Sequence, residues 1–208
     1  MSDRQPSHLS PPSCGTRALA LLGELGLLSS DSLLVDVGCG PSPHLALELH
    51  ARGFEGSVRF VDWNYRSLWH HRGLFEGLVS EPSFHAEWRR LDIRKHPQVL
   101  SGALALVHGT PPRTVMDGQL VKPRQESEMR ALLKDLLVGN PSALAFHLDP
   151  GGIPPLGAAA LSLDLEVGHA PSAGTAPHPE GWGELMVMVG EGAHSSVQLS
   201  PSLKKEKT

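Results

Sequence analysis

The stretch Asp36-Val37-Gly38-Cys39-Gly40-Pro41-Ser42 decides the fold of this chain. It follows the apolar residues Leu33-Leu34-Val35 and leads into residues 44–49, whose pattern predicts a helix. A glycine-rich turn between a strand and a helix lets bare backbone approach a ligand, because glycine lacks a Cβ and tolerates positive φ. Such a turn at a helix N-terminus is typical of nucleotide-like ligands. The same glycines would also serve a tight turn in any α/β protein.

The residues around the two glycines bear on which nucleotide would bind. The dinucleotide fingerprint G-x-G-x-x-G needs a third glycine, and that position is Pro43 here. Asp36 stands at the end of the predicted strand, where it would repel a pyrophosphate but attract the cationic amino group of a methionine moiety. These two residues favour S-adenosylmethionine over a dinucleotide.

The D-x-G-x-G arrangement of Asp36, Gly38 and Gly40 resembles the first motif of the class I S-adenosylmethionine-dependent methyltransferases. The resemblance continues downstream, where residues 58–61 predict a strand that ends at Asp62. In that family an acid at the end of the second strand holds the two ribose hydroxyls. An apolar or aromatic side chain next to that acid, here Trp63, lies against the adenine in the family.

A third segment, Leu91-Asp92-Ile93, looks like the adenine-binding acid that follows the third strand in the family. Each of these three residues has an alternative interpretation. Asp92 would be a helix N-cap, Asp62 a solvated acid at a strand end, and Trp63 a core-packing residue. The cofactor-binding residues that the resemblance implies are Asp36, Gly38, Cys39, Gly40, Ser42, Asp62, Trp63, Asp92 and Ile93.

The order of predicted elements indicates an α/β protein. Helices are predicted over 17–25, 43–52, 65–78 and 125–137, and further strands over 57–62, 86–91, 103–107, 143–148, 161–167 and 184–189. Because no helix is predicted between the last two strands, they are expected to form an antiparallel hairpin. The expected fold is Rossmann-like and doubly wound, with a mainly parallel seven-stranded sheet and an antiparallel terminal hairpin. Residues 150–157 leave room for at most about two helical turns after the fifth strand.

Composition sets the expected organisation and compartment. The chain has 208 residues, of which 40% are hydrophobic and 19% charged, and this suits one soluble domain. We expect a disordered N-terminus over 1–13, a methyltransferase-like domain over 14–190 and a flexible tail over 191–208. The two cysteines, the lack of a signal-peptide core and the lack of a membrane-length apolar stretch predict a cytoplasmic protein without a membrane partner.

The charge balance bears on the partners. The net charge is −4 and the body of the chain has no long basic run, so nucleic acid is an unlikely partner on this ground. The expected partner is a small-molecule or side-chain methyl acceptor. The sequence Thr110-Pro111-Pro112-Arg113 lacks the flanking residues of the motif in enzymes that methylate amino groups on bases, so that substrate class is not inferred.

Histidine supplies the candidate catalytic group. His108 closes the predicted fourth strand, where the family commonly places its acceptor, and a histidine base suits neutral pH. A role in capping a loop is the alternative. His147 and Asp149 lie two residues apart near the end of the next strand, but hard ions prefer oxygen ligands and no metal site is predicted.

The sequence therefore predicts an S-adenosylmethionine-dependent methyltransferase. The alternative is a methyltransferase-like binding protein without turnover, which the short segment after the fifth strand and the lack of an acceptor motif would suit. A nicotinamide-linked oxidoreductase is disfavoured by Asp36 and Pro43.

Overall fold

The computed structural model describes residues 23, 28–108, 114–116, 119–121, 125–148, 153–163, 165–169 and 183–188. The strands are β1 (Leu33–Val37), β2 (Ser57–Asp62), β3 (His85–Arg90), β4 (Leu104–His108), β5 (Thr114–Met116), β6 (Gln119–Val121), β7 (Ala143–Leu148), β8 (Glu166–His169) and β9 (Gly183–Met188). The helices are α1 (His44–Ala51), α2 (Tyr65–Leu78), α3 (Glu126–Leu137) and α4 (Ile153–Leu161), with a 3-10 helix over Pro97–Leu100.

Five parallel strands run inward from one edge of the main sheet, in the order β3-β2-β1-β4-β7. In the central strand, Asp36 pairs with Phe60 on one side and Leu106 on the other. Strand β9 pairs antiparallel with β7, and β8 pairs antiparallel with β9. The prediction of an α/β fold with a parallel sheet is confirmed. Because the strands are parallel, their carboxyl ends share one edge, where ligands bind in open α/β sheets.

Each face of the sheet is covered by its own pair of helices. Successive side chains of a strand point to opposite faces, and the neighbours Leu34 and Val35, both fully buried, belong to different hydrophobic clusters. The cluster with Leu34 includes residues of α1 and α2, and the cluster with Val35 includes residues of α3 and α4. A central strand that is buried on both faces explains the apolar run at residues 33–35.

Helix α4 corrects the sequence prediction after β7. The alternation of Leu161, Leu163 and Leu165 predicted a strand from residue 161, but the chain is helical over Ile153–Leu161 and the strand begins at Glu166. Prolines 154 and 155 fall in the first turn, where their missing N–H groups cost no helical hydrogen bond. At the C-terminal end of the helix, the backbone N–H groups of Leu163 and Leu165 donate hydrogen bonds to the carbonyl oxygen of Ala160.

Two further elements bear on the predicted loops and ends. Strands β5 and β6 pair antiparallel within residues 109–124, where the sequence predicted neither a helix nor a strand. The helix predicted over 17–25 lies outside the described residues apart from Gly23, and so do the expected disordered segments 1–13 and 191–208. Among the described residues, no helix has both the length and the apolar character needed to cross a membrane.

Asn64 fixes where α2 begins. It is the N-cap, and its side-chain oxygen accepts hydrogen bonds from the backbone N–H groups of Arg66 (3.0 Å) and Ser67 (3.5 Å). An asparagine in this position satisfies backbone donors that have no partner inside the helix.

Replacing this cap provides a test of the helix start. We expect Asn64→Ala to lower the free energy of unfolding by about 1 kcal/mol, because the first turn loses its acceptor. Urea denaturation followed by circular dichroism measures the change. The control Leu78→Ala alters an exposed residue at the other end of α2, and an equal loss in both variants would contradict the cap.

Candidate functional site

The glycine turn lies across the carboxyl end of β2. Gly38 has φ 74° and Gly40 has φ 65°, a region that side-chain-bearing residues rarely adopt. The backbone N–H groups of Gly38 and Cys39 both donate to the carbonyl oxygen of Val61, at 2.8 and 3.3 Å. A Cβ built on Gly40 meets no atom within 4 Å, so this side of the turn is open. Both glycines are therefore required by backbone conformation, and Gly40 leaves room beside the turn.

Asp62 joins this turn to the start of α2. Its side chain is 8% exposed, and its Oδ2 accepts a hydrogen bond from the backbone N–H of Gly40 at 3.1 Å. Its Oδ1 accepts from the backbone N–H of Asn64 at 2.8 Å. A carboxylate has about four acceptor positions, so further acceptor capacity remains on both oxygens.

A second buried acid lies in the neighbouring strand. Asp36 is 1% exposed and lies one residue before the end of β1. Burial raises the pKa of the Cys39 thiol, and the nearby negative charges of Asp36 and Asp62 raise that pKa further. Cys39 therefore stays a neutral thiol at physiological pH. The two carboxylates give the turn a local negative potential that favours a cationic ligand.

Asp92 is held within its own loop. Arg94 donates to Asp92 Oδ1 through its backbone N–H (3.1 Å) and Nε (2.9 Å), and to Asp92 Oδ2 through a terminal guanidinium nitrogen (2.7 Å). These hydrogen bonds lower the pKa of the Asp92 carboxyl below its ordinary value of 3.8. The loop still lies beside Asp62, because the N–H of Leu91 donates to the Asp62 carbonyl at 3.2 Å. Ile93 packs in the core and is 4% exposed, so its side chain is not accessible and only its backbone could contact a ligand.

The remaining predicted cofactor residues are solvent-exposed. Trp63 is 56% exposed, so the alternative that it packs in the core is excluded. Ser42 is also exposed and lies two residues before α1, whose N-cap Pro43 makes no side-chain capping hydrogen bond. Sequence reasoning missed Asn64, which both caps α2 and holds Asp62. The signal for it was an asparagine directly before a helical pattern.

The predicted catalytic residue is placed by strand register. His108 is the last residue of β4, one beyond the pair Val107–Val37, and it pairs with His147 of β7. Its backbone therefore lies at the same sheet edge as the glycine turn. Asp149 and Arg113 lie outside the described residues. Within the part of the chain whose side chains are described, no three His, Cys, Asp or Glu residues group as a metal site.

Comparison with known proteins supports the fold. No family model and no curated protein matches the sequence. The small RNA methyltransferase HEN1 has a similar structure with a TM-score of 0.61 and 15% identity, over 96% of this chain and 28% of that one. The precorrin-6y C5,15-methyltransferase of Geobacter metallireducens GS-15 has a TM-score of 0.57 and 11% identity, over 83% of this chain and 88% of that one.

A protein named precorrin 8W decarboxylase, from Methanobacterium thermoautotrophicum, has a TM-score of 0.57 and 16% identity, over 89% of this chain and 95% of its own. The chain therefore shares its fold with these solved methyltransferase structures, as the resemblance predicted. The expectation that nucleic acid is an unlikely partner is wrong, because the same fold carries a small RNA methyltransferase. Net charge averages over the whole surface and does not report a local basic patch.

The strain at the glycine turn can be measured with a pair of glycines. Gly40 and Gly73 both have open space around an added Cβ, but only Gly40 has positive φ. We expect Gly40→Ala to lower the free energy of unfolding by about 1–2 kcal/mol. We expect Gly73→Ala, inside α2, to raise it by about 0.5–1 kcal/mol. Urea denaturation measures both, and equal effects of the two substitutions would contradict the argument.

Proposed function

We propose that this protein is an S-adenosylmethionine-dependent methyltransferase. The observation that carries the proposal is the buried Asp62 carboxylate at the carboxyl end of β2, held by the backbone N–H groups of Gly40 and Asn64. The fold shared with methyltransferases supports it. A small-molecule or side-chain acceptor stays a prediction from the sequence.

The residues of the site fit this cofactor. The free acceptor positions of Asp62 suit the two ribose hydroxyls, since hydroxyl donors and a carboxylate form charge-assisted hydrogen bonds. The open side of Gly40 admits a ligand against the backbone. Asp36 and Asp62 attract a cation, and the exposed ring of Trp63 offers a flat apolar surface for the adenine. When bound, S-adenosylmethionine supplies a methyl group on a positively charged sulfur.

The arrangement of the sheet supports the finer assignment of the fold. We assign β8 and β9 to the antiparallel terminal hairpin of a seven-stranded methyltransferase sheet. The strand order β3-β2-β1-β4-β7-β9-β8 and the antiparallel pairing of β9 support this assignment. A plain dinucleotide-binding fold would not require such a hairpin.

We further propose His108 as the general base toward the acceptor. Its backbone follows the Val107–Val37 pair, and Val37 directly precedes the glycine turn. A base at this strand end would take a proton from an acceptor placed at the carboxyl edge of the sheet. Histidine is the side chain whose ordinary pKa best suits a general base near neutral pH.

The alternative of a binding protein without turnover loses one of its two grounds. It rested partly on a short segment after the fifth predicted strand, which is β7 in the structure. That segment holds α4, a helix of 9 residues whose Leu156, Ala159 and Ala160 are fully buried. The crossover back to the sheet is therefore packed in the core. The lack of a recognisable acceptor motif is the remaining ground.

Substitution of the β2 acid tests cofactor binding. We expect Asp62→Asn to weaken binding of the demethylated cofactor by about 1–3 kcal/mol, because the charged acceptor of the ribose hydroxyls is lost. Isothermal titration calorimetry measures the affinity, with the exposed turn residue Asp31→Asn as the matched control. A wild-type chain that binds neither form of the cofactor, or an Asp62→Asn chain that binds it normally, would overturn the proposal.

Substitution of His108 tests turnover separately. We expect His108→Ala to lower the rate of labelled-methyl transfer to a cell extract by about a hundredfold or more, while the affinity for the demethylated cofactor stays unchanged. The control His85→Ala changes an exposed histidine of β3 and leaves the rate unaltered. A loss of cofactor affinity in His108→Ala would show a structural role instead. Absence of labelling by the wild type would favour the binding-only alternative.

A further inference from the structure

Three large aromatic side chains stand exposed around the start of α2. Trp63 is 56% exposed, Tyr65 59% and Trp69 65%. The phenylalanines Phe60, Phe75, Phe84 and Phe146 are buried, and Trp88 is half-buried against Phe60 with the two rings 5.4 Å apart. Aromatic rings normally contribute large areas to cores or interfaces. A cluster of exposed rings in one short segment therefore indicates a binding surface.

The helix places two of these rings side by side. Tyr65 is the first residue of α2, and Trp69 follows one turn later at i+4, so the two lie on the same side of the helix. The core-facing side of α2 carries Leu68, His71 and Phe75, all buried. Trp63 immediately precedes the N-cap Asn64. The exposed rings thus follow one another along the entry of the helix.

Two arginines near these rings, Arg66 and Arg90, differ from the other described arginines in their ion pairing. Those elsewhere form ion pairs with glutamate or aspartate: Arg52, Arg59, Arg72, Arg89, Arg94 and Arg130. Arg66 and Arg90 are exposed, and neither has a carboxylate partner among the residues the structure describes. Arg66 lies in the first turn of α2, and Arg90 Nε donates to the carbonyl of Trp63 at 3.4 Å. We call Tyr65, Arg66, Trp69 and Arg90 the aromatic–arginine surface, which Trp63 adjoins through this hydrogen bond.

We propose that the aromatic–arginine surface binds single-stranded nucleic acid. Unpaired bases stack on aromatic rings whatever their sequence, and guanidinium groups bind phosphates through paired hydrogen bonds. A protein partner or a second copy of the chain would also cover the rings, but two exposed arginines that have no carboxylate partner within the described ranges favour a polyanion. The net charge of −4 makes this attraction local and therefore sensitive to salt.

The surface adjoins the site of the proposed methyl transfer. Arg90 pairs in register with Asp62 at the carboxyl ends of β3 and β2. A nucleic-acid strand bound on this surface would pass beside Asp62. Nucleic acid would then be the class of substrate that reaches the site of methyl transfer. That last step rests on the proposed function, whereas binding of the strand does not.

The test measures binding of a labelled oligouridylate of about 12 nucleotides to the full chain by fluorescence anisotropy. We expect Tyr65→Ala and Trp69→Ala each to weaken binding about tenfold, because one stacked base is lost. We expect Arg66→Ala to weaken binding and to reduce the slope of log affinity against log salt by about one. A duplex of the same length should bind more weakly than the single strand, because its bases are already stacked.

Matched controls separate this surface from general effects. Leu78→Ala removes an exposed side chain (68%) at the far end of α2, and Arg130→Ala removes a half-buried arginine of α3. Both should bind the oligonucleotide like the wild type, and circular dichroism should show all variants folded. Asp62→Asn should keep oligonucleotide binding even where cofactor affinity falls, so the two proposals can fail separately.

Three results would overturn the proposal. The first is a wild-type chain that does not bind the oligonucleotide at about 50 mM salt, where phosphate contacts are strong. The second is equal weakening by the surface variants and the controls. The third is a dimer in sedimentation experiments that Trp69→Ala dissociates while oligonucleotide binding is unchanged, which would assign the rings to a second copy of this chain.

Discussion

The carboxylate of Asp62 is the contact on which the site depends. It accepts the backbone N–H of Gly40, 22 residues earlier in the chain, and that of Asn64, and so joins the glycine turn to the start of α2. Without it, two backbone donors near the core would lose their acceptor, which is costly in a low-dielectric environment. The same contact fixes the path of the glycine turn and keeps a negative charge at the carboxyl end of β2.

A second buried carboxylate accompanies that charge. Asp36 and Asp62 are almost fully buried, and their negative charges raise the pKa of the Cys39 thiol. Like charges in a poorly solvated turn destabilise the folded chain, and a cation bound beside them would offset this cost. Residues that lower the stability of an otherwise consistent fold are typical of functional sites.

The features that the sequence predicted are those set by local backbone demands. Gly38 and Gly40 marked the turn because few other residues adopt positive φ, and apolar runs marked the buried strands. Helix α4 was missed because its prolines lie in the first turn and a leucine alternation follows it. The ion pair of Asp92 with Arg94 depends on loop geometry, and the pairing of His108 with His147 depends on strand register. The net charge of −4 does not report how charges group on the surface, and so it could not reveal the exposed pair Arg66 and Arg90.

Helix α2 packs against the core on one side and carries part of the aromatic–arginine surface on the other. On its core side, His71 Nδ1 accepts a hydrogen bond from Trp88 Nε1 at 3.1 Å, and Trp88 stacks on Phe60 of β2. These contacts hold the helix firmly against β2 and β3. Binding groups on a rigid element lose less conformational freedom when a ligand arrives than groups on a loop. Tyr65 and Trp69 therefore lie on a rigid helix that begins directly after the end of β2, where Asp62 lies.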